Sequence, residues 1–301
     1  MRGRMMQTPL LISSLIEHAG RVYGTQEIVS RTVEGPIHRY TWLDARNRSI
    51  QLAQALGAHG ITAGDRIGTL GWNTYRHLEL YYGISGMGAV CHTLNPRLHP
   101  TELVYIVNHA EDRILFVDLT FVPLAEAVAD KLPGVERYVV LTDSENMPET
   151  ALSNAIAYED FIAGSDGDYE WPVLDEGDAA ALCYTSGTTG HPKGALYTHR
   201  STVLHAFGVA MPDVFNMRPS TCVLPIVPLF HACSWGIAYS APLAGAKIVF
   251  PGPRYDPEAL TDLMTAESVN YCAGVHSVFI PLVQYWRDHG NKPPSLAMAV
   301  M

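Results

Sequence analysis

Short, almost continuously apolar runs alternate with helical patterns along much of this chain, and that alternation limits the fold more than any other feature. Asp65–Leu70 is predicted to be a strand, Tyr75–Met87 a helix and Ala89–Leu94 the next strand. Parallel strands need helical crossovers, and strands buried on both faces are apolar throughout. The pattern therefore predicts an α/β fold with a largely parallel sheet covered on both faces. The alternation continues through helix Thr101–Ala110, strand Arg113–Val117, helix Val122–Lys131 and strand Arg137–Leu141.

A hairpin is predicted ahead of this alternation, where Glu27–Val33 and Ile37–Thr41 flank a Glu-Gly-Pro turn. Thr41 then begins a helix that extends to about Ala58. Asp44 stands three residues after Thr41, the spacing at which two side chains cap a helix start reciprocally. Residues 27–58 are therefore predicted to form two paired strands followed by a long helix.

Residues 142–177 differ from the rest, because they are polar and rich in glycine and aspartate. We predict a surface excursion here with one short helix near Ala155–Ile162. A second alternating region follows it. Its predicted strands lie near Ala179–Tyr184, Gly194–Thr198, Thr221–Leu224 and Lys247–Phe250, and its predicted helices near Arg200–Val209 and Pro257–Glu267.

Composition excludes several classes of function. With 301 residues and 48% hydrophobic content, the chain can bury one large core or the cores of two lobes. A net charge of −10 argues against nucleic acid or an anionic membrane as a partner, because both select basic surfaces. The five cysteines include no CxxC pair, which favours buried, reduced thiols in a cytoplasmic protein.

Two long apolar stretches need separate interpretation. The uncharged run Pro219–Ala246 is long enough to span a membrane, but its prolines and glycines favour buried strands and loops instead. No membrane span is predicted. Leu296–Met301 is apolar throughout and typical of a buried strand, so we expect the chain to be part of a longer protein.

The segment that indicates a function is Tyr184-Thr185-Ser186-Gly187-Thr188-Thr189-Gly190-His191-Pro192-Lys193-Gly194. Its glycines allow close backbone approach to a ligand, and its hydroxyls and backbone amides suit phosphate oxygens. Lys193 adds a positive charge that can reach the same anion. A lone loop of this composition is often only a flexible hairpin tip, but this one lies between two apolar runs and carries the full set of phosphate-binding groups. It is not a Walker A loop, because Pro192 rather than glycine precedes the lysine.

This segment resembles the phosphate-binding motif of the acyl-adenylate-forming (AMP-binding) superfamily, which includes acyl-CoA synthetases. Val227-Pro228-Leu229-Phe230-His231 is similar to the second core motif of that family. The medium- and long-chain fatty acyl-CoA synthetases, with 3-methylmercaptopropionyl-CoA ligase-like members, resemble the chain most. The stretches that carry this narrower resemblance are Gly64-Asp65-Arg66-Ile67, Gly86-Met87-Gly88-Ala89-Val90, Asn95-Pro96-Arg97 and Asn108-His109-Ala110-Glu111-Asp112.

The resemblance implies two mixed, mostly parallel sheets covered by helices, as in an incomplete N-terminal domain of an adenylate-forming enzyme. Residues 50–199 would form a first α/β lobe ending in the phosphate loop, and residues 1–49 with 200–301 a second, incomplete lobe. The C-terminal domain would be absent. The glutamate, aspartate and lysine that complete the site in the family would then lie beyond Met301, so we expect this chain to bind nucleotide weakly and to turn over poorly.

The resemblance also implies the activity and the site residues. An acyl-CoA synthetase joins a carboxylic acid to ATP, forming acyl-AMP and pyrophosphate, and then transfers the acyl group to coenzyme A. Lys193 and His231 would be catalytic, and Trp235 would gate the acyl tunnel. Thr185 would supply the hydroxyl associated with Mg²⁺. The ATP site would comprise Thr185, Ser186, Gly187, Thr188, Thr189, Gly190, Lys193, His231 and Trp235.

Other functions stay open from the sequence. Within the superfamily, an aryl-CoA ligase or an enzyme that loads a carrier protein would share these motifs. A phosphotransferase would release ADP instead of pyrophosphate, and a truncated, non-catalytic nucleotide-binding module would release nothing. The spacing of His199 and His205, without cysteine or carboxylate companions, argues against zinc. The acyl chain length is undetermined, and a homodimer is allowed.

Overall fold

The computed structural model of the chain describes residues 5–185 and 191–301. Helices flank two β-sheets within these ranges. The strands are β1 (Glu27–Arg31), β2 (Ile37–Thr41), β3 (Arg66–Leu70), β4 (Val90–Thr93), β5 (Asp112–Val117), β6 (Arg137–Val140), β7 (Ala155–Ala157), β8 (Ala179–Thr185), β9 (Lys193–Thr198), β10 (Cys222–Pro225), β11 (Lys247–Phe250), β12 (Tyr271–Ala273) and β13 (Met298–Val300). The helices are α1 (Ile12–Val22), α2 (Trp42–Ala58), α3 (Tyr75–Gly86), α4 (Pro100–Ala110), α5 (Val122–Glu126), α6 (Tyr158–Ala163), α7 (His199–Ala210), α8 (Ala232–Trp235, one turn), α9 (Ile237–Ala244), α10 (Pro257–Ala266) and α11 (His276–His289).

The larger sheet has seven strands in the order β7-β6-β5-β3-β4-β8-β9. Its strands are parallel from β7 to β8, and only the last pair, β8 with β9, is antiparallel. The central strands β4 and β5 are buried along almost their whole length, as the apolar runs predicted. The prediction of an α/β fold with mixed, mostly parallel sheets is confirmed.

The second sheet has six strands in the order β13-β12-β10-β11-β1-β2. The predicted hairpin is present, because β1 and β2 pair antiparallel while every other pair of this sheet is parallel. Thr41 and Asp44 form the predicted reciprocal cap at the start of α2. Thr41 Oγ1 accepts from the Asp44 N–H, and Asp44 Oδ2 accepts from the Thr41 N–H.

Helix α3 is buried along its whole length and contacts strands of both sheets. Its charged side chains are paired, because an unpaired buried charge would be costly. Glu79 accepts hydrogen bonds from Arg48 at 2.8 Å and from the Tyr158 hydroxyl at 2.7 Å. Arg76 binds Glu34 at 2.7 Å and Glu159 at 2.8 Å. This network fixes the helix that joins the two sheets.

The prediction of a surface excursion over residues 142–177 is wrong in its central part. The short helix predicted near Ala155–Ile162 is present as α6, but Ala155–Ala157 before it form strand β7, which adds an edge to the larger sheet by pairing with β6. Tyr158 and Phe161 are buried in the main core. The polar composition misled because the apolar residues here are few, although several of them, such as Leu152 and Ile162, are buried.

Three further predictions need correction. Within Pro219–Ala246 the chain forms helix α9, which is apolar on all sides because it is buried, so no amphipathic pattern marks it. The predicted helix Val122–Lys131 is broken into α5 and a 3₁₀ turn at Ala129–Lys131. Leu296–Met301 contributes the short edge strand β13, whose side chains are mostly exposed rather than buried. No helix within the described residues is long and apolar enough to cross a membrane.

Candidate functional site

The hairpin of β8 and β9 forms the base of the candidate phosphate loop. Thr185 at the end of β8 pairs directly with Lys193 at the start of β9. Residues directly opposite in an antiparallel pair project from the same face, so the side chains of Thr185 and Lys193 leave the same face of the hairpin. Both residues are exposed. The predicted loop residues Ser186, Gly187, Thr188, Thr189 and Gly190 lie outside the described residues.

Helix α4 anchors the base of this hairpin through one hydrogen bond and one stacking contact between rings. The Tyr184 hydroxyl lies 2.6 Å from His109 Nδ1, and the ring of Tyr105 stacks on His191 with centroids 4.6 Å apart. Gly194 is closely packed, because a Cβ there would lie 2.9 Å from Leu182 Cδ1 and 3.3 Å from the Tyr184 ring and would have to displace these side chains. The strands leading into and out of the loop are therefore held against a helix of the larger sheet.

The second motif, residues 227–231, follows strand β10 and is fixed by a buried asparagine from the larger sheet. Asn73 Nδ2 donates to the Pro225 and Val227 carbonyls at 2.9 Å each, and its Oδ1 accepts from the Leu229 N–H at 2.7 Å. The Tyr81 hydroxyl donates to the Leu229 carbonyl. This clamp positions His231, whose side chain is exposed.

A left-handed turn, α8, links His231 to the candidate gate Trp235. Ala232, Cys233, Ser234 and Trp235 all have positive φ angles, between 43° and 53°. Each non-glycine residue in this conformation costs about 1–2 kcal/mol. The Ser234 hydroxyl donates to the Val227 carbonyl at 2.8 Å and holds the turn against the clamped segment. Strain of this kind persists where the surrounding structure enforces it, and it is concentrated at functional sites.

A cavity of about 440 Å³ opens beside this turn. Helix α7, strand β9, the left-handed turn and helix α9 all contribute to its walls. The volume lies in the range of small-molecule sites, and the lining is mainly apolar with a few polar groups. The residues that line it are Tyr197, Ser201, Thr202, His205, Ala232, Cys233, Trp235, Gly236 and Tyr239.

Two cysteines show how close the hairpin and the second motif are. Cys183 Sγ in β8 lies 3.9 Å from Cys233 Sγ in the left-handed turn. Cys183 precedes Thr185 by two residues, and Cys233 follows His231 by two residues. The structure therefore brings the end of β8, which carries Thr185, close to the left-handed turn that joins His231 to Trp235. Of the predicted site residues that the structure describes, Trp235 lines the cavity.

The AMP-binding enzyme family matches residues 16–300, nearly the whole chain. The chain belongs to the AMP-binding enzyme family. Both motifs identified in the sequence therefore lie within the matched part of an AMP-binding enzyme, as does every helix of the described residues except the first turn of α1.

Several characterised relatives of this AMP-binding enzyme are CoA ligases. The chain is 44% identical over 301 residues to a medium-chain-fatty-acid–CoA ligase of Ectopseudomonas oleovorans, covering 55% of that protein. It is 46% identical to a 3-methylmercaptopropionyl-CoA ligase of Ruegeria lacuscaerulensis, covering 56%, and 41% identical to a long-chain-fatty-acid–CoA ligase of Thermus thermophilus, covering 53%. In each case 99–100% of this chain is matched. The chain thus spans about half the length of these relatives.

Solved structures share the fold at low sequence identity. An anthranilate CoA ligase in complex with anthranoyl-AMP superposes with a TM-score of 0.85 and 22% identity, over 99% of this chain and 56% of that one. A long-chain-fatty-acid–CoA ligase from Archaeoglobus fulgidus superposes with a TM-score of 0.82 and 21% sequence identity. The match covers 94% of this chain and 55% of that one. These similarities confirm the fold predicted for an adenylate-forming N-terminal domain.

Sequence reasoning missed several residues that shape this region of the AMP-binding enzyme. Asn73 and Tyr81 clamp the second motif, and His205 lies against the left-handed turn, so close that a Cβ on Gly236 would be 2.5 Å from its Nδ1. No local pattern marks these residues, because their partners are distant in sequence. Among the described residues, no group of three or more His, Cys, Asp or Glu side chains could hold a metal ion.

Proposed function

We propose that this AMP-binding enzyme activates a fatty or thioether carboxylic acid with ATP, forming acyl-AMP and then acyl-CoA. The observation that carries the proposal is that one strand, β9, connects the end of the phosphate loop to the wall of the cavity. Strand β9 starts at Lys193 beside the phosphate loop, and Tyr197 of the same strand lines the cavity together with Trp235. A nucleotide phosphate and an acyl chain can therefore approach each other across one strand.

The proposed ATP site is the loop between β8 and β9. Ser186, Gly187, Thr188, Thr189 and Gly190 would cradle the β- and γ-phosphates with backbone amides and hydroxyls. Lys193 would hold the departing pyrophosphate with its ammonium. The pairing of Lys193 with Thr185 supports this proposal, because it directs the charge and a hydroxyl to one side of the hairpin.

Magnesium fits this arrangement only as an ion held largely by the nucleotide. Mg²⁺ usually keeps several waters and takes one or two protein oxygens together with substrate phosphates. The exposed Thr185 hydroxyl is the ligand that we propose from the described residues. When bound, the ion would neutralise phosphate charge during the transfer.

The proposed acid site is the cavity beside the left-handed turn. Its mainly apolar lining suits an aliphatic or thioether chain, with Trp235 as the gate and His231 at the junction with the nucleotide. The names of the relatives support acids of this kind, since they act on medium-chain fatty acids, long-chain fatty acids and 3-methylmercaptopropionate. Among the described residues that line the cavity, none carries a charged side chain.

The chemistry follows from these placements. A carboxylate oxygen of the acid attacks the α-phosphorus of ATP, and the bond to pyrophosphate breaks. The thiol of coenzyme A then attacks the acyl carbon and releases AMP. Carboxylate is a weak nucleophile facing a polyanion, so positioning and charge neutralisation by Lys193 and Thr185 supply the acceleration.

The lobe boundaries belong to the same proposal. We propose a first lobe at residues 50–199 and a second, incomplete lobe at 1–49 with 200–301. Every strand of the seven-stranded sheet falls within residues 50–199, which supports this division. The remaining six strands fall within the other two ranges.

The experiment that tests the proposal is calorimetric titration of the chain with non-hydrolysable acyl-adenylate analogues. We expect an analogue with a medium-length aliphatic acyl group to bind at least tenfold more tightly than the adenosine moiety alone. Trp235→Ala should remove most of that gain, whereas Trp286→Phe, at a buried indole that does not line the cavity, should preserve it. Equal affinity for both ligands, or preference for an aryl adenylate, would contradict the proposed acid class.

A further inference from the structure

Cys183 and Cys233 form a pair of thiols that the proposed reaction does not use. Their sulfurs lie 3.9 Å apart, both residues are buried, and both thiols are free. Cys183 is fixed inside strand β8, between β4 and β9. Cys233 lies in the strained left-handed turn and lines the cavity, which gives small molecules a route to the pair.

The surroundings favour a reactive thiolate at this pair. The Cys233 thiol lies within hydrogen-bonding distance of Cys183 Sγ, and the Thr93 hydroxyl lies 3.2 Å from the same sulfur. The hydrogen bond from Cys233 lowers the pKa of Cys183, although burial opposes that shift. Cys91 has the opposite behaviour, because burial raises the pKa of its thiol. The thiolate is the form of cysteine that reacts with oxidants.

We propose that Cys183 and Cys233 are a site of reversible oxidation, at which hydrogen peroxide converts the two thiols into a disulfide that a dithiol reductant reopens. The Cys183 thiolate attacks the terminal peroxide oxygen, the O–O bond breaks, and a sulfenic acid forms with release of hydroxide. Cys233 then attacks the sulfenic sulfur, and the hydroxyl leaves as water. The two thiols lose two protons and two electrons, and hydrogen peroxide is reduced to two waters.

Closing this bond would change the shape of the cavity. A disulfide bond is about 2 Å long, so the two sulfurs must approach each other by about 2 Å. Strand β8 is hydrogen-bonded on both sides, so the turn that carries Cys233 would make most of this movement. That turn connects His231 to Trp235. Oxidation would therefore pull the proposed acyl gate towards the phosphate hairpin and reduce acyl binding, a consequence that rests on the proposed function.

The test of the chemistry is mass spectrometry of the chain before and after treatment with hydrogen peroxide. Trypsin gives a peptide of residues 138–193, whose one cysteine is Cys183, and a peptide of residues 201–247, which contains Cys222 and Cys233. In a Cys222→Ser background, we expect peroxide to remove two hydrogens and to link these two peptides, and dithiothreitol to separate them. Addition of oxygen atoms without a link, or an unchanged mass, would overturn the proposal.

A second measurement tests the consequence for binding. The affinity of a medium-chain acyl-adenylate analogue is compared before and after oxidation, in the parent chain and in Cys183→Ser. We expect at least a fivefold loss of affinity in the parent chain, reversed by dithiothreitol, and none in the variant. A linked but fully binding chain would overturn the regulatory role. If the reduced chain did not bind the analogue, that result would contradict the proposed function instead. The mass-spectrometric test would still show whether the disulfide forms, because it does not depend on binding.

Discussion

Asn73 Oδ1 accepts a hydrogen bond from the Leu229 N–H at 2.7 Å, across a sequence separation of 156 residues. Asn73 follows β3 of the seven-stranded sheet, whereas Leu229 follows β10 of the other sheet. The asparagine side chain is fully buried and makes two further hydrogen bonds to the same segment. This contact therefore fixes the second motif relative to the sheet that carries the phosphate hairpin.

Replacement of Asn73 by alanine should be strongly destabilising. The change leaves one backbone N–H without its partner and weakens the hydrogen bonding of two carbonyls in a buried segment. Each unsatisfied buried group costs about 1–3 kcal/mol, so we expect the free energy of unfolding to fall by roughly 2–4 kcal/mol. Urea unfolding measures this loss. The control Asn47→Ala, at an exposed position of α2, should change the free energy of unfolding by less than about 0.5 kcal/mol. Equal effects of both variants would show that the clamp contributes nothing.

The buried histidine of α3 should make stability depend on pH. His77 Nδ1 lies 3.0 Å from the Trp72 carbonyl, and its Nε2 lies 3.0 Å from Thr69 Oγ1, an arrangement that suits the neutral ring. Burial lowers the pKa of His77 to about 4. The unfolded chain, with an ordinary histidine pKa of about 6.5, takes up a proton first as the pH falls. The stability is therefore complete above about pH 6.5 and is lost as the pH falls towards 4.

Comparison of His77→Gln with the parent chain measures this contribution. Between pH 8 and pH 5, His77 should account for about 2 kcal/mol of the stability lost by the parent chain. Urea unfolding of His77→Gln should show a loss smaller by that amount. His289→Gln, at an exposed position, serves as the control. A variant whose loss equals that of the parent chain would mean that His77 is not held neutral.

Two glycine-to-alanine changes should act in opposite directions. Gly236 has a φ of +75°, and a Cβ there would lie 2.5 Å from His205 Nδ1, so Gly236→Ala should cost about 1–3 kcal/mol. Gly208 lies within helix α7 with no atom within 4 Å of an added Cβ. Gly208→Ala should stabilise the chain by about 0.5–1 kcal/mol. Thermal unfolding of the two variants measures both effects, and a stabilised Gly236→Ala would refute the packing described around the left-handed turn.

The fold was predictable from the sequence where local pattern determines it. Strands β3 to β6 are apolar runs between helices, and Thr41 with Asp44 marks the start of α2 because capping depends on residues three apart. Helix α9 was not predictable, since a helix buried on all sides carries no periodic pattern. Strand β7 was missed because an edge strand of three residues contains too few side chains to show alternation.

Features of the site formed by residues close in sequence were predictable, whereas contacts between residues distant in sequence were not. The two strands that flank the phosphate loop were predicted near Ala179–Tyr184 and Gly194–Thr198, and the structure extends them by one residue each, so that Thr185 pairs with Lys193. The contact of Cys183 with Cys233 spans 50 residues, and that of Asn73 with Leu229 spans 156. Such contacts depend on how the two sheets pack, which no local pattern records. The roles of Ser186–Gly190 stay a prediction.

The measurement that tests the central claim most directly is equilibrium binding of ATP with Mg²⁺ to the chain and to two lysine variants. Lys193→Ala removes the charge at the hairpin base, whereas Lys292→Ala removes an exposed charge elsewhere. Loss of a charge-assisted contact to phosphate should weaken binding about tenfold, or about 1.4 kcal/mol. We expect that loss for Lys193→Ala and unchanged affinity for Lys292→Ala. Undiminished ATP binding by Lys193→Ala would contradict the assignment of the hairpin as the phosphate site.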